Sequence, residues 1–214
     1  MTNYKNKVVL ITGAGRGLGR ELALAFSHAG AIIAVNDINP DNALATVRMI
    51  QDAGGIAKDY VVDISKKMPV QVLANQVEDD WKAVDIVINN AGVSPTKALL
   101  DMDEWDWRRT VDVNFTGPFL ITQVFGRLMR ARKHGGLILN IGGNTSPESG
   151  KSAYYTSKHG VAALVQSAAL ELNDDGIHVL GIRFDTPTPE NLAETIFGFC
   201  ENATDYPNGY ILHI

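Results

Sequence analysis

The stretch Lys7-Val-Val-Leu-Ile-Thr-Gly-Ala-Gly-Arg-Gly-Leu-Gly19 joins a short apolar run to a glycine-rich loop, and apolar residues at helical spacing follow it. A continuous apolar run of this length is typical of a strand buried on both faces of a parallel sheet. Gly13, Gly17 and Gly19 then lie between a strand and a helix, where backbone amides and the helix N-terminus can approach a pyrophosphate. The stretch predicts a nucleotide site at the start of a doubly wound α/β fold.

The spacing of this loop separates it from the loops that bind hydrolysable nucleoside triphosphates. Leu18 and Gly19 occupy the places of Lys and Ser/Thr in Gly-x-x-x-x-Gly-Lys-Ser/Thr. The loop therefore disfavours ATP or GTP and favours a dinucleotide.

Apolar runs alternate with helical patterns along the rest of the chain, which is typical of a parallel sheet with helices on both faces. We expect a Rossmann-type sheet of about seven strands in a single domain over residues 1–214. A helix capped by Asn39 with Pro40 at its first position and one long helix from Asp103 to about Arg132 are predicted. Six of the predicted strands cover residues 7–12, 31–36, 84–89, 136–141, 177–183 and 210–214, and the third strand along the chain ends at 61–64. The last two predicted helices cover residues 152–173 and 189–200.

Composition excludes several classes of function. The formal charge of −5 and the lack of a Lys or Arg run argue against a nucleic-acid partner. No stretch reaches membrane-spanning length, and the N-terminus lacks the apolar segment of a signal peptide, so we expect a cytoplasmic protein without a membrane partner. Cys200 is the single cysteine, and the five histidines lack metal-ligand spacing, so neither a disulfide nor a bound metal is expected.

An acidic residue after the second strand indicates which dinucleotide binds. Asp37 follows Gly13 by 24 residues, and a carboxylate there can accept hydrogen bonds from the adenosine ribose while repelling a 2'-phosphate. NAD is therefore expected, and NADP is disfavoured. Arg16 argues the other way, because a guanidinium in the loop could pair with that phosphate, although a solvated loop arginine is the alternative. Asp63 closes the third strand, where it would meet an adenine edge or act only as a strand-end cap.

Tyr154 and Lys158 lie in Ser152-Ala-Tyr-Tyr-Thr-Ser-Lys-His159, four residues apart. On a helix this spacing places the phenol and the ammonium on one face, a turn apart. A nearby cation stabilises phenolate, which suits reversible proton transfer to an alcohol oxygen while a nicotinamide takes or gives a hydride. The pair predicts an oxidoreductase site, although this spacing alone also arises by chance.

Four motifs occur in a fixed order: Thr12-Gly-x-x-x-Gly-x-Gly19, Asn89-Asn-Ala-Gly92, Asn114 and Tyr154-x-x-x-Lys158. With them the chain resembles a short-chain dehydrogenase/reductase of the single-domain type. The resemblance implies that Tyr154 is the acid/base, that Lys158 also grips the nicotinamide ribose, and that Asn114 holds a water linked to Lys158. It implies cofactor contacts from Gly13, Arg16, Gly17, Leu18, Gly19, Asp37, Asp63, Ile64, Asn90, Ala91, Gly92, Tyr154 and Lys158. A homodimer or homotetramer is implied as well, and no metal.

Two departures from the family pattern concern the substrate side. The family places a hydrogen-bonding serine just after strand five, where this chain has Gly143, so Asn144, Thr145 or Ser146 would have to supply that donor, or none does. If the role is vacant, Gly143→Ser should raise the rate. The second departure is a shortened segment between Arg183 and the last helix, where the family has a flap over the substrate.

These features favour an NAD(P)-dependent oxidoreductase that interconverts an alcohol and a ketone or aldehyde. The alternative is an NAD-binding protein of the same fold with weak or no turnover, acting as a sensor or scaffold, which the two departures favour. Epimerisation or dehydration is a third possibility, although enzymes of that kind usually carry a substrate domain after strand six.

Overall fold

The structure is a computed structural model that describes residues 4–144, 148–184 and 190–214. In this part of the chain seven parallel strands form one sheet in the order β3-β2-β1-β4-β5-β6-β7. The strands are β1 (Val8–Thr12), β2 (Ile32–Asp37), β3 (Ile56–Val61), β4 (Ile86–Asn89), β5 (Gly136–Asn144), β6 (Ile177–Phe184) and β7 (Ile211–His213). The predicted doubly wound Rossmann-type sheet is confirmed.

Helices cover both faces of the sheet because its strands are apolar on both sides. One apolar core lies between the sheet and α1, α2 and α7, and the other lies between the sheet and α3, α5 and α6. The helices are α1 (Gly17–His28), α2 (Pro40–Asp52), α3 (Lys67–Trp81), α4 (Glu104–Val111), α5 (Gly117–Arg132), α6 (Ser152–Leu172) and α7 (Leu192–Glu201). None of the helices in the described residues is long and apolar enough to cross a membrane.

Local signals in the sequence explain how several elements begin. The Asn39 side chain accepts a hydrogen bond from the Asn42 N–H at 3.0 Å, and Pro40 is the first residue of α2, as predicted. The predicted long helix from Asp103 is present, but a π-helical turn at Asp112–Thr116 separates α4 from α5. This wider turn changes the direction of the side chains in the middle of the helix.

Some predicted boundaries were wrong. Strand β3 ends at Val61, and the chain then turns towards α3, because the Asp63 carboxylate accepts the Ser65 N–H at 2.9 Å. Strand β4 begins at Ile86 rather than at residue 84, and α7 begins at Leu192 rather than at residue 189. The segment after Arg183 that appeared shortened falls partly on residues 185–189, which lie outside the described residues.

Candidate functional site

A cleft of about 740 Å³ lies at the carboxyl ends of β1, β2 and β4. Strand order reverses between β1 and β4, and open α/β sheets bind ligands at such a reversal. The cleft is lined by every residue predicted to contact the cofactor apart from the two on α6: Gly13, Arg16, Gly17, Leu18, Gly19, Asp37, Asp63, Ile64, Asn90, Ala91 and Gly92. Sequence motifs spread over 80 residues therefore meet in one place.

The glycine loop fits a pyrophosphate because of how its residues are packed. Gly13 has φ +63°, and a Cβ there would lie 2.8 Å from the Ala91 Cα. A side chain on Gly19 would collide with the Gly13 carbonyl oxygen. Gly17, at φ +52°, instead faces open space, and α1 begins there without a side-chain cap or an acidic residue in its first turn. The backbone N–H groups at the start of α1 are thus accessible to an anion.

Gly15 was not singled out in the sequence, yet it connects the loop to Asp37. Its N–H donates to the Asp37 carboxylate at 2.9 Å, and a Cβ at Gly15 would lie 2.6 Å from the same oxygen. The other carboxylate oxygen accepts the Asn39 N–H, also at 2.9 Å. Two backbone donors therefore hold the carboxylate at the cleft wall, and each oxygen keeps acceptor capacity for a ribose hydroxyl.

The Asn89-Asn-Ala-Gly92 motif braces β4 against the glycine loop. The Asn90 side chain donates to the carbonyl oxygens of Thr12 and Gly13 at 2.9 and 3.1 Å. The Thr12 hydroxyl accepts the N–H groups of Asn90 and Ala91 at 3.0 and 3.1 Å. These bonds hold the loop rigid at the floor of the cleft.

Helix α4 supplies one wall of the cleft, which the sequence analysis missed. The Arg109 guanidinium lies 5.3 Å from the centre of the Trp105 ring, and Lys66 reaches Asp112 at 3.9 Å from the start of α3. The helical spacing of Trp105, Arg109 and Asp112 could have indicated a shared face. Other lining residues absent from the prediction are Asn36, Ile38, Val62, Ser65, Val93, Arg108 and Val113.

The predicted acid/base pair, Tyr154 and Lys158, lies beside the last residues of β5. Lys158 is buried, with 4% of its surface exposed, and its ammonium donates to the Ile141 carbonyl oxygen at 2.8 Å. Burial lowers the pKa of Lys158 to about 8. The Tyr154 hydroxyl lies against Gly143, where an added Cβ would be 3.3 Å from the Tyr154 Cζ and 3.4 Å from the Lys158 Cε. Phenol and ammonium thus face the same short piece of β5.

Asn114 lies in the π-helical turn and is fully buried. Its side-chain oxygen accepts the Val93 N–H at 2.8 Å, and its amide donates to the Val93 carbonyl oxygen at 2.8 Å and to the Ser157 hydroxyl at 3.2 Å. A Cβ on Gly92 would lie 3.4 Å from the Asn114 oxygen and 3.7 Å from the Lys158 Nζ. Asn114 therefore ties the cleft wall to α6, and its predicted role in holding a water stays a prediction.

The position of Gly143 argues against a serine there as a way to restore a donor. Gly143 has φ +69°, in the left-handed region that favours glycine, and a side chain there would collide with the Tyr154 hydroxyl. Thr145 and Ser146 lie outside the described residues, as does the side chain of Asn144.

We expect Gly143→Ser to lower the rate of hydride transfer by on the order of 10²-fold, because it displaces the Tyr154 hydroxyl. The unfavourable φ should also lower the free energy of unfolding by about 1–2 kcal/mol. Turnover assays and urea denaturation measure the two effects. Gly198→Ala is the control, since no atom lies within 4 Å of a Cβ on that α7 residue. A faster Gly143→Ser enzyme would show that Tyr154 can move aside.

The sheet, the cleft and the glycine loop define a dinucleotide-binding protein of the doubly wound class. A family model of short chain dehydrogenases matches residues 7–192. The chain belongs to this family, whose members are NAD(P)-dependent oxidoreductases that transfer a hydride.

Curated and solved relatives agree with this assignment. The (2S)-[(R)-hydroxy(phenyl)methyl]succinyl-CoA dehydrogenase subunit BbsD of Thauera aromatica is 36% identical over 176 residues, which cover 82% of this chain and 71% of the relative. A metagenomic short-chain oxidoreductase solved with NADP superposes with a TM-score of 0.90 at 27% identity, covering 98% of this chain and 97% of that one. A 7α-hydroxysteroid dehydrogenase solved with NADH and 7-oxo glycochenodeoxycholic acid superposes with a TM-score of 0.90 at 30% identity, and the match covers 100% of this chain and 94% of that one. The non-catalytic alternative is not favoured.

Proposed function

We propose that Tyr154, Lys158 and Asn114 form the active site of this oxidoreductase and interconvert an alcohol and a ketone or aldehyde. One observation carries the proposal: Gly92 lines the cofactor cleft, and a Cβ there would lie 3.7 Å from the Lys158 Nζ. The acid/base pair is thus next to the end of the cleft. Bound NAD(P) supplies the hydride acceptor or donor at its nicotinamide.

Each of the three side chains has a separate task in this proposal. The Tyr154 hydroxyl gives its proton to the carbonyl oxygen in reduction and takes it back in oxidation. The Lys158 ammonium stabilises the phenolate left behind and donates to the nicotinamide ribose. Asn114 holds Val93 and Ser157 in place, and so keeps the cleft wall and α6 together.

Each part of the dinucleotide has matching residues along the cleft. We assign the pyrophosphate to the start of α1 above Gly17, and the adenosine ribose to Asp37. Asp63 and Ile64 flank the adenine, and Lys158 meets the second ribose. The assay that tests the proposal follows nicotinamide absorbance with a panel of ketones, aldehydes and alcohols and both cofactors, and turnover of at least one substrate is expected.

We further propose that NAD is preferred over NADP. The Asp37 carboxylate is fixed by the N–H groups of Gly15 and Asn39 and cannot readily swing away from a 2'-phosphate. Arg16 is exposed at the mouth of the cleft and is the group that would favour NADP. One solved relative holds NADP and another NADH, so the fold itself accommodates both.

We expect NAD to bind about tenfold to a hundredfold more tightly than NADP, because the phosphate lies beside a fixed carboxylate. Titration calorimetry with both cofactors measures the ratio. Asp37→Ser should lower the ratio of NAD affinity to NADP affinity. Asp41→Ser removes an exposed carboxylate four residues away on α2 and should leave this ratio unchanged. Equal or tighter NADP binding in the wild type would mean that Arg16 governs the choice.

Three broader proposals accompany the site. Residues 1–214 form a single domain, supported by the one continuous sheet. The chain pairs into a homodimer or homotetramer through α5 and α6, where Phe119 and Leu170 are exposed. The low cysteine content favours a cytoplasmic location.

A further inference from the structure

Arg183 lies at the end of β6 on the face that packs against α6. Ile177 and Val179 belong to the core on that face, and a Cβ on Gly181 would lie 3.4 Å from Val165 of α6. Alternate residues of a strand point to the same side, so Arg183 projects towards the side of the sheet that carries Tyr154. It lies beyond the end of the apolar core, at the carboxyl edge of the sheet.

Consecutive residues of β5 link Arg183 to the acid/base pair. The Ile141 carbonyl oxygen accepts from Lys158, and a Cβ on the next residue, Gly142, would lie 3.0 Å from the Arg183 Cγ. The residue after that, Gly143, contacts the Tyr154 hydroxyl. Consecutive Cα atoms are about 3.8 Å apart. The aliphatic part of the Arg183 side chain therefore contacts β5 one residue before the position that contacts the Tyr154 hydroxyl.

Arg183 carries a positive charge that no carboxylate in the described residues neutralises within salt-bridge distance. Its Nε donates to the His213 Nε2 at 3.1 Å, across the pairing of β6 with β7. Its Nη2 lies against the same ring nitrogen, so His213 holds one edge of the guanidinium. Arg183 is partly exposed, and the edge formed by its Nη1 and Nη2 keeps N–H groups for a carboxylate, which it can engage through two parallel hydrogen bonds.

We propose that Arg183 binds the carboxylate of the substrate, and that the enzyme acts on short oxo acids and the corresponding hydroxy acids. The inference rests on the proposed function of Tyr154. In reduction, the carbonyl carbon gains the hydride from the reduced nicotinamide, and the carbonyl oxygen gains the proton of the Tyr154 hydroxyl. Arg183 fixes the carboxylate a few carbon atoms away and thereby turns the carbonyl oxygen towards Tyr154.

The test compares 2-oxo and 3-oxo carboxylates with their methyl esters, which keep the carbonyl and lack the charge. In the wild type, kcat/KM should be at least about tenfold higher for the acids. Arg183→Met should lower it about tenfold to a hundredfold for the acids and change it little for the esters. Arg183→Lys keeps the charge without the planar fork and should recover part of the loss. Arg48→Met removes an exposed arginine from α2, on the opposite side of the sheet, and serves as the control.

Three outcomes separate this inference from the function on which it rests. Turnover of esters without a preference for acids overturns the carboxylate site and leaves the oxidoreductase site intact. Equal loss for acids and esters, with a lower free energy of unfolding, shows that Arg183 only joins β6 to β7. If no carbonyl is turned over, calorimetry measures the binding of an oxo acid and of its methyl ester to the NADH-loaded protein. Binding of the acid that Arg183→Met abolishes supports the carboxylate site. Equal affinity for the acid and the ester overturns it.

Discussion

Tyr154→Phe should lower hydride transfer by about 10³-fold or more and leave the affinity for NAD within about threefold of wild type. In the proposed mechanism the hydroxyl acts on the substrate oxygen, and a general acid or base contributes about 10²–10⁴ in rate. The phenylalanine ring can keep the edge-on contact with Tyr155, whose ring centre lies 5.5 Å away. Turnover and calorimetry measure the two quantities separately, on a substrate that the wild type converts.

The neighbouring tyrosine is a matched control for this substitution. Tyr155 points to another part of the α6 surface, and burial together with the nearby Glu148 raises the pKa of its hydroxyl. Tyr155→Phe removes the same atom one residue away and should retain nearly wild-type turnover. If Tyr154→Phe also kept wild-type turnover, the phenol would have no place in the mechanism.

Local sequence patterns were sufficient to predict which loop and strand ends line the cleft. The glycine loop follows β1 directly, and Asp37 ends β2, so both must reach the carboxyl edge of a parallel sheet. Tyr154 and Lys158 share a helix face by spacing alone. Such features depend on residues close together in the chain, and a parallel sheet then brings their strand ends together.

The features that could not be predicted depend on contacts between distant elements. The positive φ of Gly143 and its contact with Tyr154 result from how β5 and α6 pack, and no spacing in the sequence encodes them. The π-helical turn at Asp112–Thr116 has no propensity signal, yet it places Asn114 against Val93. The bond from Gly15 to Asp37 likewise joins the glycine loop to the end of β2, 22 residues away.

Lys158→Met should abolish most turnover and at the same time stabilise the fold at neutral pH. The wild-type protein buries an ammonium whose pKa falls from 10.5 to about 8. Below pH 8 both the folded and the unfolded states carry the proton, and the folded state bears the full cost of burial, about 3 kcal/mol. Methionine has a similar length and no charge, so it removes that cost and loses only the hydrogen bond to Ile141. We expect a net gain of about 1–3 kcal/mol at pH 7.

The sign of the pH dependence distinguishes this explanation from a simple packing change. Between pH 8 and 10.5 the unfolded state holds more protons than the folded state, so wild-type stability rises with pH across this window. The advantage of Lys158→Met should therefore shrink as pH rises from 8 to 10.5, which urea denaturation at several pH values measures. Lys67→Met, at an exposed site on α3, should show no such trend. A constant advantage across this window would mean that the pKa of Lys158 is the same in the folded and unfolded states, and the gain in stability would then come from packing rather than from relief of a buried charge.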